Sequence, residues 1–137
     1  MADARPPLTV ELVWSDELRF DAPLGDLHTT LDGASKAGPS PMQYAALGLA
    51  GCMAADVVDI LRKGRHPLTG LRVAFTGTRD ESPPRRFVEI SLRFTVEGAV
   101  PVEAVERAIA LSRERYCSVW HSFRQDIAFS TTVDVRP

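Results

Sequence analysis

Residues 41–63, PMQYAALGLAGCMAADVVDILRK, carry the pattern of one long apolar helix around which the rest of the chain must be arranged. Ser40 offers a side-chain oxygen as an N-cap, and Pro41 takes the first helical position, where its missing N–H costs nothing. Gly64 stands where a C′ stop is expected, and Pro67 prevents the helix from resuming. The spacing predicts a helix from Pro41 to Lys63, about 33 Å long at 1.5 Å per residue. The 14 residues Met42 to Ala55 carry no charge and are rich in alanine and glycine; charges enter with Asp56, Asp59, Arg62 and Lys63. Such a helix is enclosed on most sides, and its small residues let other backbones come close. The uncharged run is too short to span a bilayer, so a buried core helix is expected.

Strand patterns flank the helix. Before it, Leu8, Val10, Leu12 and Trp14 alternate as one face of a half-buried strand. Turns at Ser15-Asp16 and Gly25-Asp26 then separate Leu18-Arg19-Phe20 from Leu27–Leu31. After it, Leu71, Val73 and Phe75 alternate with polar neighbours, as do Val88, Ile90, Leu92, Phe94 and Val96. A second helix opens at Pro101 and reaches about Tyr116. Val102, Val105, Ile109 and Ser112 form one stripe of it, with Glu103 to Arg107 as an i,i+4 pair. Ser118 to Gln125 fits a short further helix, and Asp126 to Val135 a last strand. Trp14, Trp120, Phe87 and Phe94 read as core. The order β-β-β-α-β-β-α-α-β does not alternate as parallel βαβ units do. It predicts an α+β fold with antiparallel sheets wrapped around the long central helix. One small sheet cannot enclose an apolar helix of this length, so a partner subunit is expected to supply the remaining cover.

The chain has 137 residues and a mass of 15.0 kDa, which suits one domain over residues 1–137. Hydrophobic residues at 45% and charged residues at 25% place it among globular chains. A net charge of −2 argues against a nucleic-acid binder that relies on bulk positive charge. The start, Met1-Ala2-Asp3-Ala4-Arg5-Pro6-Pro7, lacks the apolar core of a signal peptide, so a cytoplasmic, reducing compartment is expected, without membrane or nucleic-acid partners. In that compartment two cysteines do not point to a structural disulfide, and they are too few for an all-cysteine zinc site.

The chemistry rests on those two cysteines. Cys52 lies in the middle of the central helix, three turns from the N-terminus and beyond the reach of the helix dipole. Asp56, one turn later, opposes a thiolate there. Residue chemistry leaves two readings open: a small buried hydrophobe, or a reactive thiol activated by a cation from elsewhere. Cys117 falls where the second helix ends and the short one begins, beside Ser118. A thiol at a helix N-terminus is acidified, which suits disulfide exchange; an inert half-buried cysteine is the alternative. Cys117 and His121 stand i,i+4 as half of a metal site, but no second pair accompanies them, so neither a metal nor a cofactor is expected. His28 and His66 read as surface or capping histidines. Gly-rich phosphate loops and a nucleophile elbow are absent from the sequence.

Three blocks carry a family resemblance. The first is Gly38-Pro39-Ser40-Pro41-Met42-Gln43, followed by Gly51-Cys52. The second is Asp56-Val57-Val58-x-Ile60-Leu61-x-Lys63-Gly64-Arg65. The third is Ser112-x-Glu114-x-Tyr116-Cys117-Ser118-Val119. Together with the element order they resemble the OsmC/Ohr family of thiol-dependent peroxidases, nearest to its YhfA-like branch. The resemblance implies an intertwined homodimer with two long helices at its centre and an active site at each subunit interface. It implies Cys52 as the peroxidatic cysteine and Cys117 as the resolving one. Cys52 would attack an organic hydroperoxide, Cys117 would close a disulfide on the sulfenic acid, and a lipoyl-type or thioredoxin-like dithiol would reopen it.

The sequence departs from that family at one point. The best-studied branches carry a glutamate ten residues before the first cysteine, orienting an arginine toward the sulfur. Here that position is Met42, followed by Gln43. The resemblance implies Arg19 as the arginine, without its carboxylate. This departure favours a second reading, a redox-sensing or lipid- or acyl-binding module with little turnover. A third, a hot-dog-type thioesterase using Asp56 or Asp59 as base, leaves the two cysteine blocks unexplained.

Overall fold

Short alternating segments joined by tight turns make a meander, and the computed structural model, which describes residues 4–137, contains one. β1 (Val13–Asp16), β2 (Arg19–Leu24) and β3 (Leu27–Asp32) form an antiparallel sheet in that order. They belong to the first of two units into which the chain divides, ending at Ala45; the second is Ala46–Pro137. The expected strand from Leu8 is shorter than its pattern. Pairing begins only at Val13, and Leu8 and Trp14 are 90% and 66% exposed. Trp14 is therefore not core. β1 is a four-residue edge strand with a register shift between Trp14 and Asp16, and the alternation before it finds no partner strand among the described residues. Of the N-terminal segment read for a leader, Met1–Asp3 lie outside the described residues.

Asp32 organises the loop that follows. Its carboxylate accepts backbone N–H bonds from Ala34 and Ala37 at 2.8 Å each and from Lys36 at 3.2 Å, while its own N–H donates to the Pro39 carbonyl. The Ala37 and Ala34 amides, with that of Lys36 and the Arg19 charge, hold its pKa below the ordinary carboxylate value. The loop delivers Ser40, and α1 (Pro41–Lys63) begins where the sequence predicts. Ser40 and Gln43 form a capping box. The Gln43 N–H donates to Ser40 Oγ at 3.2 Å, and the Ser40 N–H to Gln43 Oε1 at 2.8 Å. Gln43 is thus a helix-start residue.

The other end of α1 differs from the expectation. His66 N–H reaches back to the Leu61 carbonyl and Arg65 N–H to the Arg62 carbonyl, the paired bonds of a Schellman motif. The left-handed C′ residue is Arg65, with φ +60, and Gly64 still bonds in α fashion to Ile60.

In the second unit, β4 (Gly70–Arg79) pairs antiparallel with β5 (Phe87–Glu97), and β6 (Ala128–Arg136) pairs parallel with β5. The α+β class with two three-stranded sheets holds among the described residues, but this second sheet is mixed rather than antiparallel. The reason is the crossover of some thirty residues between β5 and β6, long enough to carry two helices and return in the same direction. Those helices are α2 (Val102–Leu111) and α3 (Ser118–Ser122), joined by a π turn over Ser112–Tyr116. The core is built from three periodic faces: Leu49, Met53, Val57 and Leu61 every fourth residue on α1; Ile90, Leu92, Phe94 and Val96 on alternate positions of β5; Val105, Ala108 and Ile109 on α2. Val102 is exposed, and Glu103 and Arg107 form no ion pair. Gly98 turns the chain out of β5 at φ +120, where a Cβ would lie 2.2 Å from the Pro67 carbonyl oxygen; only glycine fits.

Candidate functional site

Cys52 sits at mid-length of α1 with its side chain half-buried and its thiol free. Cys117 is wholly buried and also free. It closes the π turn, its N–H donating to the Ser112 carbonyl at 2.8 Å, the i→i+5 bond that widens that turn. It also caps α3, its Sγ accepting the Trp120 N–H at 3.3 Å. The two thiols, 65 positions apart in sequence, lie close enough that Cys52 acts directly on the titration of Cys117.

The acidified Cys117 expected from its helix-start position is not what forms. Burial pushes this thiol up to about 11, and the adjacent Cys52 thiol pushes the same way. The Trp120 and Val119 amides pull against it and lose. A five-residue helix supplies too few aligned amides to offset a wholly buried sulfur.

Aromatic and cationic side chains pin the π turn to β6. The Trp120 and Phe129 rings lie 4.4 Å apart between centroids. The Arg113 guanidinium lies over Phe129 at 4.7 Å and donates from Nη1 to the Phe129 carbonyl at 3.1 Å. His121 Nε2 lies 2.9 Å from the Arg113 carbonyl oxygen and tethers the ring to the π turn. Among the described residues no three His, Cys, Asp or Glu side chains gather as a metal site.

Asp56 is where sequence reasoning fell short. It stands one turn after Cys52, and its Oδ2 accepts the Ser112 hydroxyl at 2.7 Å. Both residues lie in the quoted blocks; nothing in their spacing, 56 positions apart, announces that they meet. Arg19 lies in the first unit. There its Nε is 3.9 Å from Asp32 Oδ2, a loose ion pair with a half-exposed arginine side chain.

A half-buried free thiol beside a wholly buried one, on an α+β scaffold of two three-stranded sheets, defines a paired-cysteine protein. The chain belongs to the OsmC-like family: the model of that family, described as OsmC-like protein, matches residues 33–132. The chain is 42% identical over 109 residues to Protein YhfA of Escherichia coli K12, covering 77% of this chain and 81% of that one. Among solved structures it resembles a hypothetical protein from Aquifex aeolicus, at 27% identity and a TM-score of 0.89, over 96% and 98% of the two chains. It also shares the fold of an organic hydroperoxide resistance protein from Elizabethkingia anophelis, at 16% identity and a TM-score of 0.69, over 96% and 99%.

Proposed function

We infer that the chain is a thiol-dependent peroxidase that reduces organic hydroperoxides, with Cys52 as the peroxidatic and Cys117 as the resolving cysteine. The observation that carries this reading is the meeting of two free thiols, one half-buried and one wholly buried. The Cys52 thiolate attacks the distal oxygen of ROOH. The O–O bond breaks, the alkoxide leaves and is protonated to the alcohol, and Cys52 becomes a sulfenic acid. The Cys117 sulfur then attacks Cys52 Sγ, the hydroxyl departs as water, and a disulfide remains. A dithiol of lipoyl or thioredoxin type returns the pair to thiols by exchange. Arg19 is the proposed activating cation, and its carboxylate partner is Asp32 rather than a residue at position 42.

The proposal extends to the assembly and the compartment. The apolar window of α1 has a mean hydropathy of 1.6 but is only 28% buried within one chain. A second copy covers the remainder, and both units act as one OsmC-like domain in a cytoplasmic homodimer.

Hydroperoxide consumption tests it. With cumene hydroperoxide and a dithiol, Cys52→Ser abolishes consumption, and Cys117→Ser leaves one stoichiometric turnover. One equivalent of peroxide alone removes both thiols and lowers the intact mass by two hydrogens. Retained consumption in Cys52→Ser overturns the reading. A second reading, a redox sensor or acyl-binding module with little turnover, is favoured by the raised pKa of Cys117, which keeps the resolving sulfur protonated at neutral pH. It predicts that the disulfide forms but that dithiol-driven turnover is negligible.

A further inference from the structure

Three contacts run antiparallel along one stripe of α1. Gly48, Cys52 and Asp56 stand four residues apart, the spacing that stacks side chains on one helix face. In reverse order they meet Val119, Cys117 and Ser112. A Cβ at Gly48 would lie 3.9 Å from Val119 Cγ1, so the bare backbone there faces the first turn of α3. The Ser112 hydroxyl donates to Asp56 Oδ2 at 2.7 Å. The same Ser112 accepts the Cys117 N–H on its carbonyl at 2.8 Å. One wholly buried serine thus holds the α1 carboxylate with its side chain and the resolving cysteine with its backbone.

The central rung is sensitive to that hold. A disulfide needs its sulfurs about 2.05 Å apart with a dihedral near 90°. A slip of one residue along α1 moves a partner by about 1.5 Å and turns it by about 100°, enough to spoil that geometry. No other side-chain hydrogen bond among the described residues joins the π turn to α1 and so resists such a slip.

We propose that Asp56 and Ser112 are positioning residues: their hydrogen bond sets the register of Ser112–Val119 against α1 and so brings Cys117 Sγ onto Cys52 Sγ for disulfide closure. The inference rests on the Cys52–Cys117 couple of the function proposed above, and not on its oxidant.

The test therefore uses glutathione disulfide in place of a peroxide. The Cys52 thiolate attacks one glutathione sulfur, forming a mixed disulfide and releasing one glutathione thiolate. The Cys117 thiolate then attacks Cys52 Sγ, closing the protein disulfide and releasing the second. The two protons lost by the protein thiols end on the two glutathiones. Acid quenching and intact mass give both rates, and Tm is recorded beside them. Ser112→Ala and Asp56→Ala are expected to slow the closure step roughly tenfold, equivalent to about 1.4 kcal/mol of lost positioning. The first step in Ser112→Ala stays near wild type. Asp56→Asn keeps a carbonyl acceptor for the serine hydroxyl and restores closure. The double variant Asp56→Ala with Ser112→Ala is no slower than either single one, as for two halves of one bond.

Unchanged closure in Ser112→Ala overturns the proposal. So does an equal slowing of both steps that tracks the loss of Tm, since a merely structural bond behaves that way. A wild-type protein that stops at the mixed disulfide overturns it as well. A wild type that closes with glutathione disulfide yet leaves cumene hydroperoxide untouched removes the peroxidase reading alone.

Discussion

At the scale of the residue, the buried sulfur of Cys117 is governed by desolvation. The cap position offers it two amides, and the interior still favours the neutral thiol, pushing it from an ordinary value near 9.0 up to about 11. The kinetic consequence is direct. Closure requires the Cys117 thiolate, whose fraction grows roughly tenfold per pH unit below the pKa. The closure rate of the reduced, Cys52-glutathionylated protein is expected to keep rising through pH 9; a plateau already at pH 8 contradicts the raised value. Stability follows the same sign. A group whose folded pKa is raised contributes fully below its unfolded pKa and loses that contribution as pH climbs through the folded one. Reduced wild type should therefore lose on the order of 1–3 kcal/mol between about pH 9 and 11 that Cys117→Ala does not lose. Denaturant melts of both proteins across that window measure the difference.

At the scale of the element, α1 was the most legible part of the chain, because its boundaries are written in local chemistry. Ser40, Pro41 and Gln43 make a start signal that needs no tertiary context, and the capping box forms from those residues. Ser40→Ala is expected to lower stability by about 1 kcal/mol, and Gln43→Ala by a smaller amount, in equilibrium denaturation. No loss in either variant would mean the loop anchored by Asp32 fixes the helix start without the cap. What the sequence hid depends on distant partners. The alternation at Leu8–Leu12 imitates a strand, yet pairing needs a neighbour that the described chain does not supply. The parallel return of β6 depends on a crossover, which periodicity does not report. The π turn looks like five more residues of α2, because i→i+5 bonding leaves no mark on the hydrophobic pattern. The cysteine pair was reached through the resemblance; its supporting Asp56–Ser112 bond joins two elements 56 positions apart and was visible only in three dimensions.

At the scale of the whole molecule, α1 poses the question of what covers its second face. One stripe, Leu49, Met53, Val57 and Leu61, is buried within the chain. The stripe two residues away, Leu47, Gly51, Ala55 and Asp59, lies on the opposite side and is exposed, Leu47 by 58%. Its first three residues carry no charge, and Gly51 and Ala55 are small enough for two helix backbones to approach. A Cβ at Gly51 meets nothing within 4 Å in the single chain, so a larger side chain there is tolerated unless another molecule occupies the space. This makes Gly51→Arg a discriminating variant. If α1 packs against its copy, the wild type sediments at twice 15.0 kDa and Gly51→Arg at 15.0 kDa. If the face is bare, both sediment at 15.0 kDa and hold the same Tm. A wild type that needs detergent to stay in solution would instead assign the stripe to lipid. A dimer that persists unchanged in Gly51→Arg would move the interface off this stripe and leave the apolar face of α1 without the cover assigned to it.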